Sequence, residues 1–188
     1  MFMTDYAGIW GEEQEDELIE RELKFLVKPE NLESVRFMVD NHNDSYEIEQ
    51  YFVSAQTGVS LRVRKSTKNK RATFQHAVKY HRSEGDCWEF EQDISEGAYK
   101  EIKNRAEGYT KKKRMALPCE FGKFRAIMEI DVFEKENDGL ILVEVEYLSE
   151  RDKKSVLDNL PDWIGENVTK DRRYSNKHLA TNPWKKWS

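Results

Sequence analysis

The chain has two cysteines, Cys87 and Cys119, among 188 residues. Two thiols make neither a disulfide framework nor a zinc-ligand pattern, and they fit a reducing, cytoplasmic setting. No apolar run approaches the ~18 residues that cross a membrane. The opening stretch MFMTDYAGIWGEEQEDE lacks the basic start and apolar middle of an export signal. The Asn43-Asp-Ser45 and Asn167-Val-Thr169 sequons therefore read as chance matches. An excess of positive charge is also missing: 31 basic residues against 36 acidic ones leave a net charge of -5. That excludes a general nucleic-acid coat, which needs a basic surplus. Apolar residues make up only 38% of the chain, but five Trp, eight Tyr and nine Phe argue against disorder.

What the chain has in quantity is charge, at 36%. Its length suits one domain of about the usual size. Residues 1–18 read as an acidic, poorly ordered arm, 19–180 as the domain and 181–188 as a tail. IERELKFLV from Ile19 alternates with period two, as a strand does, and Pro29 ends it. Leu32, Val35 and Val39 fall at helical spacing, predicting a helix over 31–41. EIEQYFVSA and VSLRVRKS around Gly58 read as a hairpin. Further strands are expected at ATFQHAVKY, CWEFEQDI, KKRMALP, FRAIMEIDVF and LILVEVEYL, with a weak one near Val168. Helices are expected over 96–108 and 151–160. Many antiparallel strands with few helices make an α+β fold, either a barrel or a strongly curved sheet.

The charges are patterned. Successive strand residues face opposite sides. Glu20, Glu22 and Lys24 therefore oppose Ile19, Leu23 and Phe25, while Arg62 and Arg64 oppose Leu61 and Val63. Lys79 opposes Val78, and Glu89 and Glu91 oppose Trp88 and Phe90. Lys112 and Arg114 share a face, as do Glu129 and Asp131, and Glu144 and Glu146. For one strand alone, a greasy face inward and a solvated charged face outward is the ordinary outcome. Repeated i, i+2 pairs of like sign are less ordinary, because like charges side by side repel. Two carboxylates ~4 Å apart cost about 4 kcal/mol at an effective dielectric of roughly 20, so a cation or proton belongs between them. Carboxylate pairs suit hard divalent cations, and Arg and Lys pairs suit phosphate oxygens. A sheet closed with these rows inward would form a polar tunnel, its apolar outer faces covered by the helices.

The series Glu20-x-Glu22-x-Lys24, LRVRK at 61–65, VK at 78–79, WEFE at 88–91, K-x-R at 112–114, EIDVF at 129–133 and LVEVE at 142–146 resembles the CYTH superfamily, the triphosphate tunnel metalloenzymes. WIGENVTKDRRYSNKHLA at 163–180 resembles the ending of the bacterial members. The resemblance implies a closed, tunnel-like antiparallel β-barrel of about eight strands, with helices packed outside and a C-terminal plug helix. It implies a linear triphosphate ligand gripped by Lys24, Arg62, Arg64, Lys79, Lys112 and Arg114, with Arg173 as a further contact and Lys170 and Lys177 nearby. Mg²⁺ or Mn²⁺ would be held by Glu20, Glu22, Glu144 and Glu146, with Glu129 and Asp131 as further ligands or supports. Glu89 and Glu91 would orient the basic residues or share a second ion. Lys79 is the candidate for activating water, with Lys24 as the other catalytic cation.

The activity implied is metal-dependent hydrolysis of inorganic tripolyphosphate to pyrophosphate and phosphate. The alternatives are class IV-type adenylyl cyclase chemistry, hydrolysis of thiamine triphosphate or another organic triphosphate, and a non-catalytic polyphosphate- or nucleotide-binding module. The expected partner is a small triphosphate-containing molecule, with no nucleic-acid coat and no membrane. The oligomeric state is left open.

Overall fold

The computed structural model describes residues 19–53, 59–83 and 86–188, with the side chains of 19, 20, 81–83, 86 and 87 left out. The expected arm over 1–18 and the turn at Gly58 lie outside the described residues. The chain runs β1 (Ile19–Val27), α1 (Leu32–Asn41), β2 (Tyr46–Val53), β3 (Val59–Lys68), β4 (Arg71–Ser83) and β5 (Asp86–Asp93). It continues through α2 (Glu96–Lys103), β6 (Gly108–Phe121), β7 (Phe124–Phe133), β8 (Ile141–Glu146), α3 (Glu150–Asp158), β9 (Ile164–Asn167) and α4 (Asn176–Thr181).

The nine strands form one antiparallel sheet in the order β5-β4-β3-β2-β6-β7-β8-β1-β9. About eight were expected. The ninth, β9, is a four-residue strand that the C-terminal segment lays beside the end of β1, with Val27 opposite Ile164. The start of β1 also pairs with β5, Ile19 opposite Trp88 and Arg21 opposite Asp86.

Local chemistry explains the connections. The β3–β4 hairpin turns through Asn69 and Lys70, both at positive φ (51° and 66°). This is the two-residue turn whose twist matches that of the flanking strands. Ser95 and Ser149 cap α2 and α3, each hydroxyl accepting from a backbone N–H three residues on, Ala98 N and Asp152 N. Helix α2 stops at Lys103, short of the expected 108, because Glu107 N is drawn to Phe52 O (2.9 Å) and the chain enters β6 beside β2.

The apolar face of β1, β6, β7 and β8 makes the main core. Leu23, Phe25, Met115, Met128, Ile130, Val143 and Val145 pack there beneath Val35 and Val39 of α1 and Val156 of α3. A second cluster joins Phe133 and Leu142 to Val168, Tyr174 and Leu179 of the C-terminal segment. Trp184 and Trp187 pack on that cluster, so residues 181–188 dock on the domain. Helix cover is incomplete at β4 and β5, where Tyr80 and Phe90 stay exposed.

The opposite face of the sheet is polar yet buried. Lys24, Gln50, Arg62, Thr110, Lys112, Arg114, Asp131 and Glu144 are all at most 8% accessible. On β2 the sense of the pattern is reversed. Its charged residues Glu47 and Glu49 face away, while Tyr46, Ile48, Gln50 and Phe52 share the side of Arg114, Lys112, Thr110 and Gly108, their partners on β6.

Candidate active site

The charged residues on this face gather into two groups. The first spans β1, β6, β7 and β8. Cross-strand register sets Glu22 opposite Glu146, Lys24 opposite Glu144 and Glu129 opposite Glu144. Arg114 opposes Asp131 and grips it with two hydrogen bonds of 2.6 Å, Nε to Oδ1 and NH2 to Oδ2. The same NH2 reaches Glu144 Oε2 at 2.9 Å, and NH1 pairs with Glu129. Lys112, fully buried, donates to Asp131 and to Asn176 Oδ1 at 3.3 Å. Lys24 Nζ lies 2.8 Å from Glu144 Oε1, an ion pair without hydrogen-bond alignment, and 3.1 Å from Glu22 Oε1.

The second group spans β2 to β5. Arg62 donates to Glu89 Oε1 (2.6 Å), Glu91 Oε2 (3.0 Å) and Gln50 Oε1 (3.2 Å). Lys79 pairs with Glu89 at 3.0 Å, and Arg64 with Glu91 at 3.8 Å. The two groups share one field. Burial first, then Arg62 and Arg114, push the Arg64 guanidinium down to about 10.

Burial works against every ion here, and partners decide the outcome. For Lys24, burial is outweighed by Glu144 and Glu22, which hold the ammonium charged well beyond its ordinary range. For Glu144, burial is outweighed by Lys24, Lys112 and Arg114, so its carboxyl is held well below the usual range. For Asp131, burial is likewise overcome by Arg114 and then Lys112, and the carboxyl is held down. Lys112 goes the other way. Burial, followed by repulsion from Arg114, exceeds what Asp131 returns, and the ammonium is pushed down to about 8. Glu129 is pushed up by burial, with Arg114 opposing and Asp131 and Glu144 adding to the rise.

The expected site residues are thus unevenly placed. Lys24, Glu22, Glu129, Asp131, Glu144, Lys112 and Arg114 meet in one group, with Glu146 beside it in register. Arg62, Arg64, Lys79, Glu89 and Glu91 meet in the other. The side chain of Glu20 lies outside the described residues. Arg173 is at the surface, paired with Asp171 and set over the Trp187 ring, 5.0 Å from its centroid. Lys177 donates to Val59 O (3.4 Å), and Lys170 is exposed. Lys111 and Lys113 face away and pair with Glu47, Glu134 and Asp40.

Sequence reasoning left Gln50, Thr110 and Asn176 unassigned. The period-two pattern of β6 could have placed Thr110 on this face with Lys112 and Arg114, but on β2 Gln50 shares the parity of Ile48 and Phe52, so the pattern points the wrong way for it. Nothing local announced that Asn176 would reach Lys112, 64 residues away.

The donor chemistry suits a hard divalent cation, since neighbouring strands set the carboxylates of Glu22 and Glu146, and of Glu129 and Glu144, opposite one another. Among the described residues, no three metal-binding side chains converge closely enough to chelate an ion as they stand. Lys24 and Arg114 occupy the carboxylates instead. Asp131 has both oxygens committed to Lys112 and Arg114, which makes it a support for those cations.

A nine-stranded antiparallel sheet with few helices and a buried, ion-lined polar face is an α+β architecture. No family model matches the chain. It is 44% identical over 57 residues to an inorganic triphosphatase of Acetivibrio thermocellus, and 48% identical over 54 residues to one of Nitrosomonas europaea. Those stretches cover 30% and 29% of this chain and only 34% of each relative. The crystal structure of the inorganic triphosphatase NE1496 superposes with a TM-score of 0.54 at 28% identity, covering 86% of this chain and 94% of that one. These likenesses bear out the resemblance to tripolyphosphatase-like proteins of the CYTH superfamily.

Proposed function

We propose that the chain hydrolyses a linear triphosphate, inorganic tripolyphosphate first, to pyrophosphate and phosphate, in a tunnel closed between β1 and β5. The observation that carries this reading is the burial of Lys24, Arg62, Lys112 and Arg114 on one face together with carboxylates that repel one another. Burying so many ions is costly unless a ligand repays it. A polyanion with a cation compensates both signs at once. The backbone pairing of β1 with β5 and the likeness to inorganic triphosphatases support the closed tunnel and the substrate.

Mg²⁺ or Mn²⁺ would be held by Glu22, Glu144 and Glu146, with Glu129 adjoining. When bound it would neutralise phosphate oxygens and lower the barrier to attack at phosphorus. The chain's own cations do the remaining work. Arg114 and Lys112, aligned by Asp131, bind oxygens at one side, and Arg62 and Arg64, aligned by Glu89 and Glu91, bind them at the other. Lys24, set between Glu144 and Glu22, serves as a fixed cation. Lys79, paired with Glu89, is the residue assigned to orient the attacking water.

The test offers purified protein tripolyphosphate, pyrophosphate, ATP and thiamine triphosphate, with Mg²⁺ or Mn²⁺ and then with chelator. Phosphate release from tripolyphosphate that chelator stops is the expected result. Cyclic AMP formed from ATP would replace this reading with the cyclase one, and binding without turnover would replace it with a binding module.

A further inference from the structure

Between the two charged groups lie Thr110 and Gln50, two side chains that the proposed chemistry does not use. Register places Thr110 of β6 opposite Gln50 of β2, and Gln50 opposite Arg64 of β3. Gln50 is 0% accessible and Thr110 is 1% accessible. Each carries a buried polar atom with no hydrogen-bond partner among the described residues, Gln50 Nε2 and Thr110 Oγ1. Arg64 adds a third, its Nε. The Gln50 amide is not free to choose its role. Its Oε1 already accepts from Arg62 at 3.2 Å, which leaves the NH2 end as a donor.

Three donors on three adjacent strands therefore share a row without a partner among the described residues. Buried polar groups are almost always satisfied, so such a row marks a place where something is meant to bind. A cation is excluded by the donor chemistry, because an amide NH2 and a guanidinium N–H cannot ligate one. An anionic oxygen satisfies all three. Arg64 is well suited to it, since its only carboxylate contact among the described residues, Glu91, is a distant 3.8 Å.

We propose that Gln50 and Thr110 form a neutral anion subsite with Arg64, donating hydrogen bonds to a non-reacting phosphoryl oxygen of the bound triphosphate. This deepens the proposed function and rests on it. Neutral donors hold that oxygen without adding repulsion to a space that already contains Arg62, Arg64 and Arg114. They also favour an anion long enough to reach this row while still touching both charged groups, which sets a chain of phosphates apart from a single phosphate.

The test measures tripolyphosphate hydrolysis with Mg²⁺ and the rise in melting temperature on adding tripolyphosphate, for wild type, Thr110→Val, Thr110→Ser and Gln50→Met. Losing a hydrogen bond to a charged acceptor should raise KM about tenfold or more in Thr110→Val and in Gln50→Met, with kcat falling by less than KM rises. Thr110→Ser should recover most of the KM. The ligand-free melting temperature of Thr110→Val should stay level or rise, because its hydroxyl has no partner among the described residues, and that of Gln50→Met should stay level or fall, because the bond from Arg62 to Gln50 Oε1 goes with the amide, while the ligand-induced gain shrinks in both. An active wild type whose Val and Met variants keep its KM and its thermal gain would overturn this subsite alone. A wild type that neither binds nor cleaves tripolyphosphate would overturn the proposed function and the subsite with it.

Discussion

Replacing Asp131 with Asn tests whether the polar face is as demanding as it looks. Asp131 is 0% accessible and holds Lys112 and Arg114 at once. Asn keeps the shape and removes the charge, leaving two buried cations with less compensation. Breaking a buried ion pair from one side costs about 3–5 kcal/mol. For a domain of this length each kcal/mol lowers Tm by about 2–4 °C, so the expected fall is roughly 6–20 °C. Urea unfolding at pH 7 and calorimetry would measure it. The exposed pair Lys113–Asp40, at 3.4 Å, serves as the control, and Asp40→Asn should cost no more than about 1 kcal/mol. The pH dependence has a definite sign. Asp131 is held below its ordinary range, so its contribution is complete above about pH 4 and is lost as pH falls through the lowered folded value. The gap between wild type and Asp131→Asn should be flat from pH 7 to about 4 and shrink below that. Adding tripolyphosphate should restore part of the loss by compensating Lys112 and Arg114. A loss under about 1 kcal/mol, or a gap that widens in acid, would refute the electrostatic account of this face.

Lys112 makes the opposite pH prediction. Its ammonium is pushed down to about 8, so between about pH 8 and 10.4 the unfolded chain binds more protons than the folded one. Ligand-free stability should therefore gain from Lys112 as pH rises through that window, and urea midpoints of Lys112→Met should lack this gain. Gly108→Ala should strain the docking of α4, since a Cβ there would lie 2.9 Å from Ala180 Cβ and 3.0 Å from its backbone. A loss of about 1–3 kcal/mol is expected, with faster amide exchange in 176–181. Asn137→Ala should cost about 1–3 kcal/mol in denaturant unfolding, because the buried Asn137 side chain donates to Leu179 O (3.1 Å) and accepts from Trp184 N (2.8 Å). Glu146→Gln should stop phosphate release while leaving the unfolding midpoint near wild type, as its side chain is exposed.

Much of this was legible along the chain because strand geometry is local. A period of two puts Glu22 and Lys24 on one side and Leu23 and Phe25 on the other wherever the strand goes. The strands and the polar and apolar faces of β1, β3, β7 and β8 follow from that alone. The resemblance then supplied the fold and the choice between Lys111/Lys113 and Lys112/Arg114, which charge by itself leaves undecided on an all-basic stretch. The same rule would have misled on β2, whose charged side, Glu47 and Glu49, turns outward while Ile48 and Phe52 join the polar face.

Tertiary structure alone decided who partners whom. That Asp131 serves Arg114 and Lys112, that Glu144 faces both Lys24 and Glu129, and that Gln50 meets Thr110 and Arg64 are matters of register between strands far apart in sequence. The position of Arg173 was equally non-local. Asp171 and Trp187 hold it at the surface, while the resemblance implies a phosphate contact there. Alternation depends on neighbouring residues and is written into the chain, whereas electrostatic pairing and burial depend on which strands the fold sets side by side.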